Sequence, residues 1–249
     1  MSTKELEGRV ALVTGGGRNI GRAISLSLAE AGAAVIVNYR TSRAEADETV
    51  AEILAAGGKA VAAGADVTDE DAVRRMVVAG VKEFGGIDIL VNNAAVRDVT
   101  KIDEIDLATW RYVTGIILDG AFICSKCCLT PLRKSTQGTI INIGGLSGHT
   151  GAAGRPHVIA AKLGLVGLTR GLSHDLAPDG ITVNCVVPGL IDTQRGAASG
   201  AKSAHKANSL LGRRGTTDEV ASTVRFLAGP AARFVTGQDW HVNGGAYLG

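Results

Sequence analysis

Aromatic residues are scarce in this 249-residue chain, at 4%, and neither charge sign dominates: 26 Lys and Arg stand against 24 Asp and Glu, a formal net charge of +2. That balance, with no long cluster of Lys or Arg, argues against a nucleic-acid or membrane-surface role. Cysteine is limited to Cys124, Cys127, Cys128 and Cys185. Cys124-x-x-Cys127-Cys128 has the outline of a redox or metal motif. It sits inside a long helical pattern with no second pair of Cys or His nearby, so it reads as thiols packed like small hydrophobes, with no metal expected. The opening Met1-Ser2-Thr3-Lys4-Glu5 has no apolar signal segment, and no apolar run reads as long enough to span a bilayer. A reduced, cytoplasmic protein is the expectation.

Glycine is plentiful, at 34 residues, within a composition that is 45% hydrophobic. A core of Val, Ile, Leu and Ala suits a parallel sheet covered by helices on both faces. The order of elements agrees. Apolar runs at Val10-Ala11-Leu12-Val13, 35–37, 60–63, 87–91, 139–143, 182–187 and 240–242 predict strands. Between them, helical patterns fall at about 21–31, 43–56, 69–84, 107–128 and 156–177. Such alternation is the signature of a doubly wound α/β fold of the Rossmann type. No linker, repeat or composition shift divides the chain, so residues 1–249 are read as one domain. Residues 190–215 break the rhythm and read as a lid loop. After them, Thr216-Thr217-Asp218-Glu219 has the spacing of a capping box and starts the last helix.

Directly after the first strand comes Thr14-Gly15-Gly16-Gly17-Arg18-Asn19-Ile20-Gly21. A Gly-rich turn between strand and helix lets the backbone approach a pyrophosphate, and the helix start offers free N–H groups and a positive dipole end. Asn19 stands where a further glycine would be expected, and asparagine tolerates a left-handed backbone better than other side chains. An acid at the end of the second strand would hold a ribose 2′-hydroxyl and repel a 2′-phosphate. Tyr39 occupies that place, followed by Arg40, with Arg18 in the turn. Two guanidinium groups there favour a phosphate, hence NADP(H).

The pattern Thr-Gly-x-x-x-Gly-Ile-Gly, with Asn19 in place of its middle glycine, resembles that of short-chain dehydrogenases/reductases. The likeness continues along the whole chain. Asp66-Val67 is similar to the family's adenine pocket, and Asn92-Asn93-Ala94-Ala95 to its Asn-Asn-Ala-Gly. Pro188-Gly189-Leu190-Ile191-Asp192-Thr193 resembles the segment that holds the nicotinamide amide, and Thr236-Gly237-Gln238 with Asn243-Gly244-Gly245 its C-terminal strand. The overall pattern is most similar to 3-oxoacyl-carrier-protein reductases. The resemblance implies a cofactor site of Gly15, Arg18, Asn19, Ile20, Gly21, Tyr39, Arg40, Asp66, Val67, Asn93, Ala94, Ala95, Lys162, Pro188, Gly189, Ile191 and Thr193. It also implies a homotetramer paired through the helices near 107–128 and 156–177.

Family members work with Asn, Ser, Tyr and Lys. The flanking residues set the frame, and three of the four are missing. Val158 lies in the tyrosine position, Gly145 in that of the serine and Ile117 in that of the asparagine, leaving Lys162. Ser147, His149 and His157 are candidate substitutes. His157 is turned about 100° away from Val158 on a helix, whereas Val158 and Lys162 share a face. Two readings follow. One is an oxidoreductase on a carbonyl or hydroxyl substrate with a replacement acid, served by the basic residues Arg195, Lys202, Lys206, Arg213 and Arg214 of the lid if the substrate rides on an anionic carrier. The other is a cofactor-binding sensor, a partner subunit in a mixed tetramer, or a non-redox enzyme on the same fold.

Overall fold

The computed structural model describes residues 4–193 and 209–249. Seven strands form one sheet: β1 (Val10–Val13), β2 (Ala34–Tyr39), β3 (Lys59–Gly64), β4 (Ile89–Asn92), β5 (Thr139–Ile143), β6 (Thr182–Pro188) and β7 (Asp239–Val242). Their order is β3-β2-β1-β4-β5-β6-β7 and every pairing is parallel. The strand order reverses between β1 and β4, and in open sheets of this kind ligands bind outside the carboxyl ends of the strands at such a reversal. Every residue of β1, β4, β5 and β6 is buried. Covered on both faces, these strands are continuously apolar rather than alternating, which is why short runs announced them in the sequence.

Helices α1 (Asn19–Glu30), α2 (Arg43–Ala55) and α8 (Thr217–Ala228) cover one face, packing Ile24, Leu28, Ile53 and Val224 on Val13, Val37, Val91 and Ile141. The other face carries α3 (Glu70–Phe84), α5 (Gly120–Lys134) and α7 (Pro156–Leu176), which set Val73, Met76, Cys128, Leu132 and Leu176 against Leu12, Ile36, Leu90 and Ile140. Local chemistry sets the helix ends. The Asp69 carboxylate accepts from the Asp71 and Ala72 amides to start α3, and Gly85, left-handed at φ 89°, stops it. The expected capping box forms at α8, with Thr216 Oγ1 accepting from Glu219 N at 3.2 Å and Glu219 Oε2 accepting from Thr216 N at 2.7 Å.

One expectation is overturned. α4 (Leu107–Thr114), a single π-type turn at Gly115–Asp119 and α5 form a continuous helix, Leu107–Lys134, longer than the expected 107–128 and apolar enough by length and composition to cross a membrane. Its inner face, with Val113, Ile116, Ile117, Ala121, Cys124, Cys128 and Leu132, is buried in the core. A core helix that also carries a few exposed apolar side chains, here Leu107 and Phe122, passes the same composition test as a membrane span. Of the expected lid, Arg195, Lys202 and Lys206 lie outside the described residues. The ends of that segment are tied together by a bridge between Ile191 and Gly215, and Arg213 pairs with Glu219, drawing its carboxyl down to about 2. The four cysteines are free thiols. Burial pushes Cys124 and Cys185 up to about 12 and raises Cys128 well above the ordinary thiol value, so these three are inert and neutral.

Candidate functional site

The turn after β1 is built by side chains from three strands. Thr14 Oγ1 accepts from the amides of Asn93 (2.9 Å) and Ala94 (3.0 Å), and Asn93 Nδ2 donates to the carbonyls of Thr14 and Gly15. The turn is thereby clamped to the end of β4. From β2, buried Asn38 accepts from Gly15 N at 3.3 Å and donates to the Ala63 and Ala65 carbonyls. A polar residue inside an apolar strand was the only signal of that role. Asn19 adopts φ 52°, the left-handed backbone its residue type allows. A Cβ on Gly21 would lie 2.2 Å from Gly15 O, so only glycine lets α1 start this close to the turn. The first turn of α1 has no side-chain cap and no acid. Its N–H groups and positive dipole end are left for an anion, and this cradle fits a dinucleotide pyrophosphate.

Farther out on the same edge, Tyr39 ends β2 with its ring across Gly64, where a Cβ would come within 3.1 Å of the phenol oxygen. Asp66 Oδ1 accepts from Thr68 N at 2.9 Å and Thr68 Oγ1 at 2.8 Å. Burial pushes this carboxyl up, but the Thr68 hydrogen bonds and the nearby Arg40 outweigh that and leave it below the ordinary carboxylate value. Val67 is buried beside it, and Ile20 packs partly buried behind the turn. Arg18 is exposed and makes no hydrogen bond or ion pair among the described residues. At the opposite end, Gly189 N donates to Val242 O at 2.9 Å, and a Cβ there would lie 2.7 Å from Asn243 Cα. Pro188 O accepts from Leu146 N at 3.0 Å. Ile191 and Thr193 are buried beyond it, and Arg97 Nη1 donates to Thr193 Oγ1 at 3.3 Å, two residues past Ala95. Arg97 went unread in the sequence because its partner lies in a different loop.

Lys162 stands between these ends. Its Nζ donates to Ile143 O at 2.5 Å. Burial lowers the ammonium to about 8; the Cys185 thiol acts the other way and Arg97 adds to the lowering. A buried polar chain holds the elements around it together: Asn92 Nδ2 donates to Ser125 Oγ and to Asn142 Oδ1, and Asn142 Nδ2 donates to Thr169 Oγ1. That chain ties α5, β4, β5 and α7 into one rigid frame. A Cβ on Gly145 would meet only the Lys162 stem, at 3.8 and 3.9 Å, an ordinary van der Waals contact. Val158 and Ile117 pack in a single apolar cluster with Val113, Ala121, Ala161 and Leu165, against Val96. Ile117 belongs to the π-type turn, an irregularity that recurs at functional sites.

None of the three suggested substitutes hydrogen-bonds Lys162. His157 is fully buried with Nε2 2.8 Å from Asp98 Oδ2, while its Nδ1 has no partner. Asp98 is held below its ordinary value by the Thr100 hydroxyl and by His157. Ser147 opens a short helix, α6 (Ser147–Thr150), packed on α7 next to Lys162: a Cβ on Gly148 would lie 3.4 Å from Leu163 N. His149 stacks edge-on to His241 at 4.7 Å and lies 5.4 Å from the Tyr247 ring. Burial, followed by His149, lowers the His241 pKa. Tyr247 is thus beside the loop after β5. Among the described residues no group of His, Cys, Asp and Glu comes together as a metal cluster.

Comparison with known proteins agrees over nearly the whole chain. A family model described as Enoyl-(Acyl carrier protein) reductase matches residues 15–247. The 3-oxoacyl-[acyl-carrier-protein] reductase of Synechocystis is 41% identical over 244 residues, covering 98% of each chain. The enzyme of that name from Vibrio cholerae is 40% identical over 245 residues, covering 98% of this chain and 99% of the other. A dehydrogenase/reductase from Sinorhizobium meliloti superposes with a TM-score of 0.92 at 36% identity, covering 99% of this chain and 98% of that one. A short-chain dehydrogenase from Burkholderia cenocepacia, solved in complex with NADP, superposes with a TM-score of 0.90 at 36% identity, covering 97% and 99%. With the Gly-rich cradle, the lysine on its helix and this kinship along the full length, the chain belongs to the short-chain dehydrogenase/reductase family of oxidoreductases.

Proposed function

We propose that this protein is an NADPH-dependent reductase of a carbonyl borne on an acyl-carrier or similar anionic thioester, with an altered active site in which Val158, Gly145 and Ile117 replace the family's Tyr, Ser and Asn. The observation that carries this reading is the contact between position 145 and Lys162: a side chain at 145 would stand against the lysine stem, as the serine position requires. Relatives that reduce 3-oxoacyl carriers, and a neighbour that holds NADP, support the substrate class and cofactor. Arg18 and Arg40, with no acid at position 39, support the phosphorylated form of the cofactor.

Bound NADPH would supply the hydride. The start of α1 and the Gly15–Gly21 turn would hold its pyrophosphate, Asp66 and Val67 its adenine, and Lys162 its nicotinamide ribose, while Asn93 to Ala95 and Pro188 to Thr193 flank the reacting end. Val158, Ile117 and Val96 would give that end an apolar wall that holds the carbonyl by shape. The proton then comes from solvent or from the substrate, since no side-chain acid stands at Lys162. General acid–base assistance is worth on the order of 10² to 10⁴ in rate, so turnover on simple ketones should be slow.

A second reading, a cofactor-binding partner subunit without ketone reduction, is favoured by one observation: Ser147, His149 and His157 all bond elsewhere or not at all. Purified protein titrated with NADPH and then assayed on 3-oxoacyl thioesters separates the two. Turnover above the protein-free rate supports the reductase, tight binding without turnover supports the subunit, and absence of NADPH binding sinks both. Exposed Leu107, Phe122 and Leu163 on the α4–α5 and α7 surfaces support a homotetramer, or a mixed tetramer under the second reading. The free thiols fit a cytoplasmic setting.

A further inference from the structure

Arg40, directly after β2, is 41% exposed, yet its guanidinium is held by neighbours. Its Nη2 donates to the phenol oxygen of Tyr112 at 2.9 Å, its guanidinium carbon lies 5.6 Å from the Tyr112 ring centroid, and its Nη1 is 3.7 Å from Asp66 Oδ2. Tyr112 belongs to α4, 72 residues away, and is half exposed, so core packing does not account for the contact. Between the two lies the Asp66–Val67 corner. The helix carrying Tyr112 is pressed onto that corner: a Cβ on Gly120 would lie 2.7 Å from Val67 Cγ2, and one on Gly115 3.9 Å from Thr68 Cγ2. Asp66 is itself fixed by Thr68. Arg40 and Tyr112 therefore arch over the corner to which the adenine pocket is assigned.

We infer that Tyr112 is a specificity-determining residue for the cofactor: it clasps Arg40 over the adenosine end and holds the guanidinium ready for the 2′-phosphate. This rests on the reading that the chain takes NADP(H) with Arg18 and Arg40 at that phosphate. A free arginine must lose several rotors when it meets a phosphate, and one held in advance has already lost them. The Tyr112 bond occupies one Nη2 donor, and Nη1 faces Asp66 Oδ2 at 3.7 Å. Nε and the remaining Nη protons stay available to a phosphate. The same contact keeps a cation beside Asp66, whose charge would otherwise oppose a phosphate. Arg18 has no such partner, so of the two cations Arg40 is the pre-positioned one.

The test is calorimetric binding of NADPH and of NADH to the full chain, with no turnover required. Tyr112→Phe keeps the ring under the guanidinium and removes the hydroxyl, and Tyr112→Leu removes both. The NADPH-to-NADH affinity ratio should fall about 3- to 10-fold in the Phe variant, the size of one hydrogen bond, and further in the Leu variant. NADH affinity should stay within about twofold, the control that a loosened fold would fail. With Arg40→Met in the background, Tyr112→Phe should no longer move the ratio. An unchanged ratio in the Leu variant, equal loss for both cofactors, or an effect that persists without Arg40 overturns the clasp. Should wild-type protein bind both cofactors equally, with Arg40→Met changing nothing, the NADP(H) reading falls and the clasp with it. If Arg40→Met abolishes a clear preference that the Tyr112 variants leave intact, the clasp alone fails.

Discussion

Installing two hydroxyls, Gly145→Ser with Val158→Tyr, is the sharpest test of the proposed departure of this site from its family. The serine fits: a Cβ at 145 meets nothing nearer than the Lys162 stem at 3.8 Å. The tyrosine is harder to place. Val158 is 9% exposed and packs with Ile117, Ala161 and Leu165, so a ring confined to that cluster would cost about 1–3 kcal/mol in overpacking. It escapes that cost by turning along the helix face toward Lys162, one turn on. There the ammonium favours the phenolate, and the phenol donates its proton to the carbonyl oxygen as hydride reaches the carbon. A positioned acid is worth on the order of 10² to 10⁴ and a donor to the developing oxyanion roughly 10² to 10³. Ile117 offers no amide to relay a replacement proton, which pulls the expectation to the low end. About a 10²-fold gain in kcat/KM on a small activated ketone is expected, equivalent to about 2.7 kcal/mol. NADPH absorbance reports the rate, while calorimetry and a melting curve confirm binding and folding. A folded double variant that binds NADPH as the parent does and is no faster would refute the assignment of Val158 and Gly145.

Further outcomes follow from the same geometry. In Lys162, the gap between about 8 in the fold and the ordinary 10.5 means that the charged amine is penalised by about 3 kcal/mol at neutral pH, a penalty fully present below pH 8 and gone once pH rises past 10.5. Cofactor-free wild-type protein should therefore gain stability against urea, relative to Lys162→Met, as pH climbs from 8 to 10.5; a difference that stays flat across that range contradicts it. Loss of the bond to Ile143 O costs the variant about 1–3 kcal/mol at every pH, so only the slope is diagnostic, and NADPH should bind it more weakly. Arg18→Met with Arg40→Met should weaken NADPH by a few kcal/mol, at roughly 1.5–3 for each charge-assisted pair, while sparing NADH; equal losses by calorimetry would count against the 2′ assignment. Light scattering at micromolar concentration should report a tetramer, and a monomer there would mean that exposed Leu107, Phe122 and Leu163 serve something else.

Much of this molecule was legible in the chain itself. Strands buried on both faces are short apolar runs, caps such as Asp69 and Thr216 are local hydrogen bonds, and Gly21 must be glycine because a Cβ there would strike the Gly15 carbonyl in the same turn. Each depends on neighbours in sequence, so sequence carries it. The site's own arrangement does not work that way. Asn38 under the turn, Asn142 in its chain to Thr169, Arg97 on Thr193, His149 against His241 and Arg40 against Tyr112 all join residues 23 or more positions apart. Their side chains meet because a parallel sheet brings the carboxyl ends of its strands to one edge, in an order that differs from the order along the chain. The same holds for the empty places. That Val158, Gly145 and Ile117 lack hydroxyl and amide groups is written in the sequence. That His157 is bound to Asp98 and His149 turned to His241, with neither bonded to Lys162, was decided only when the elements packed.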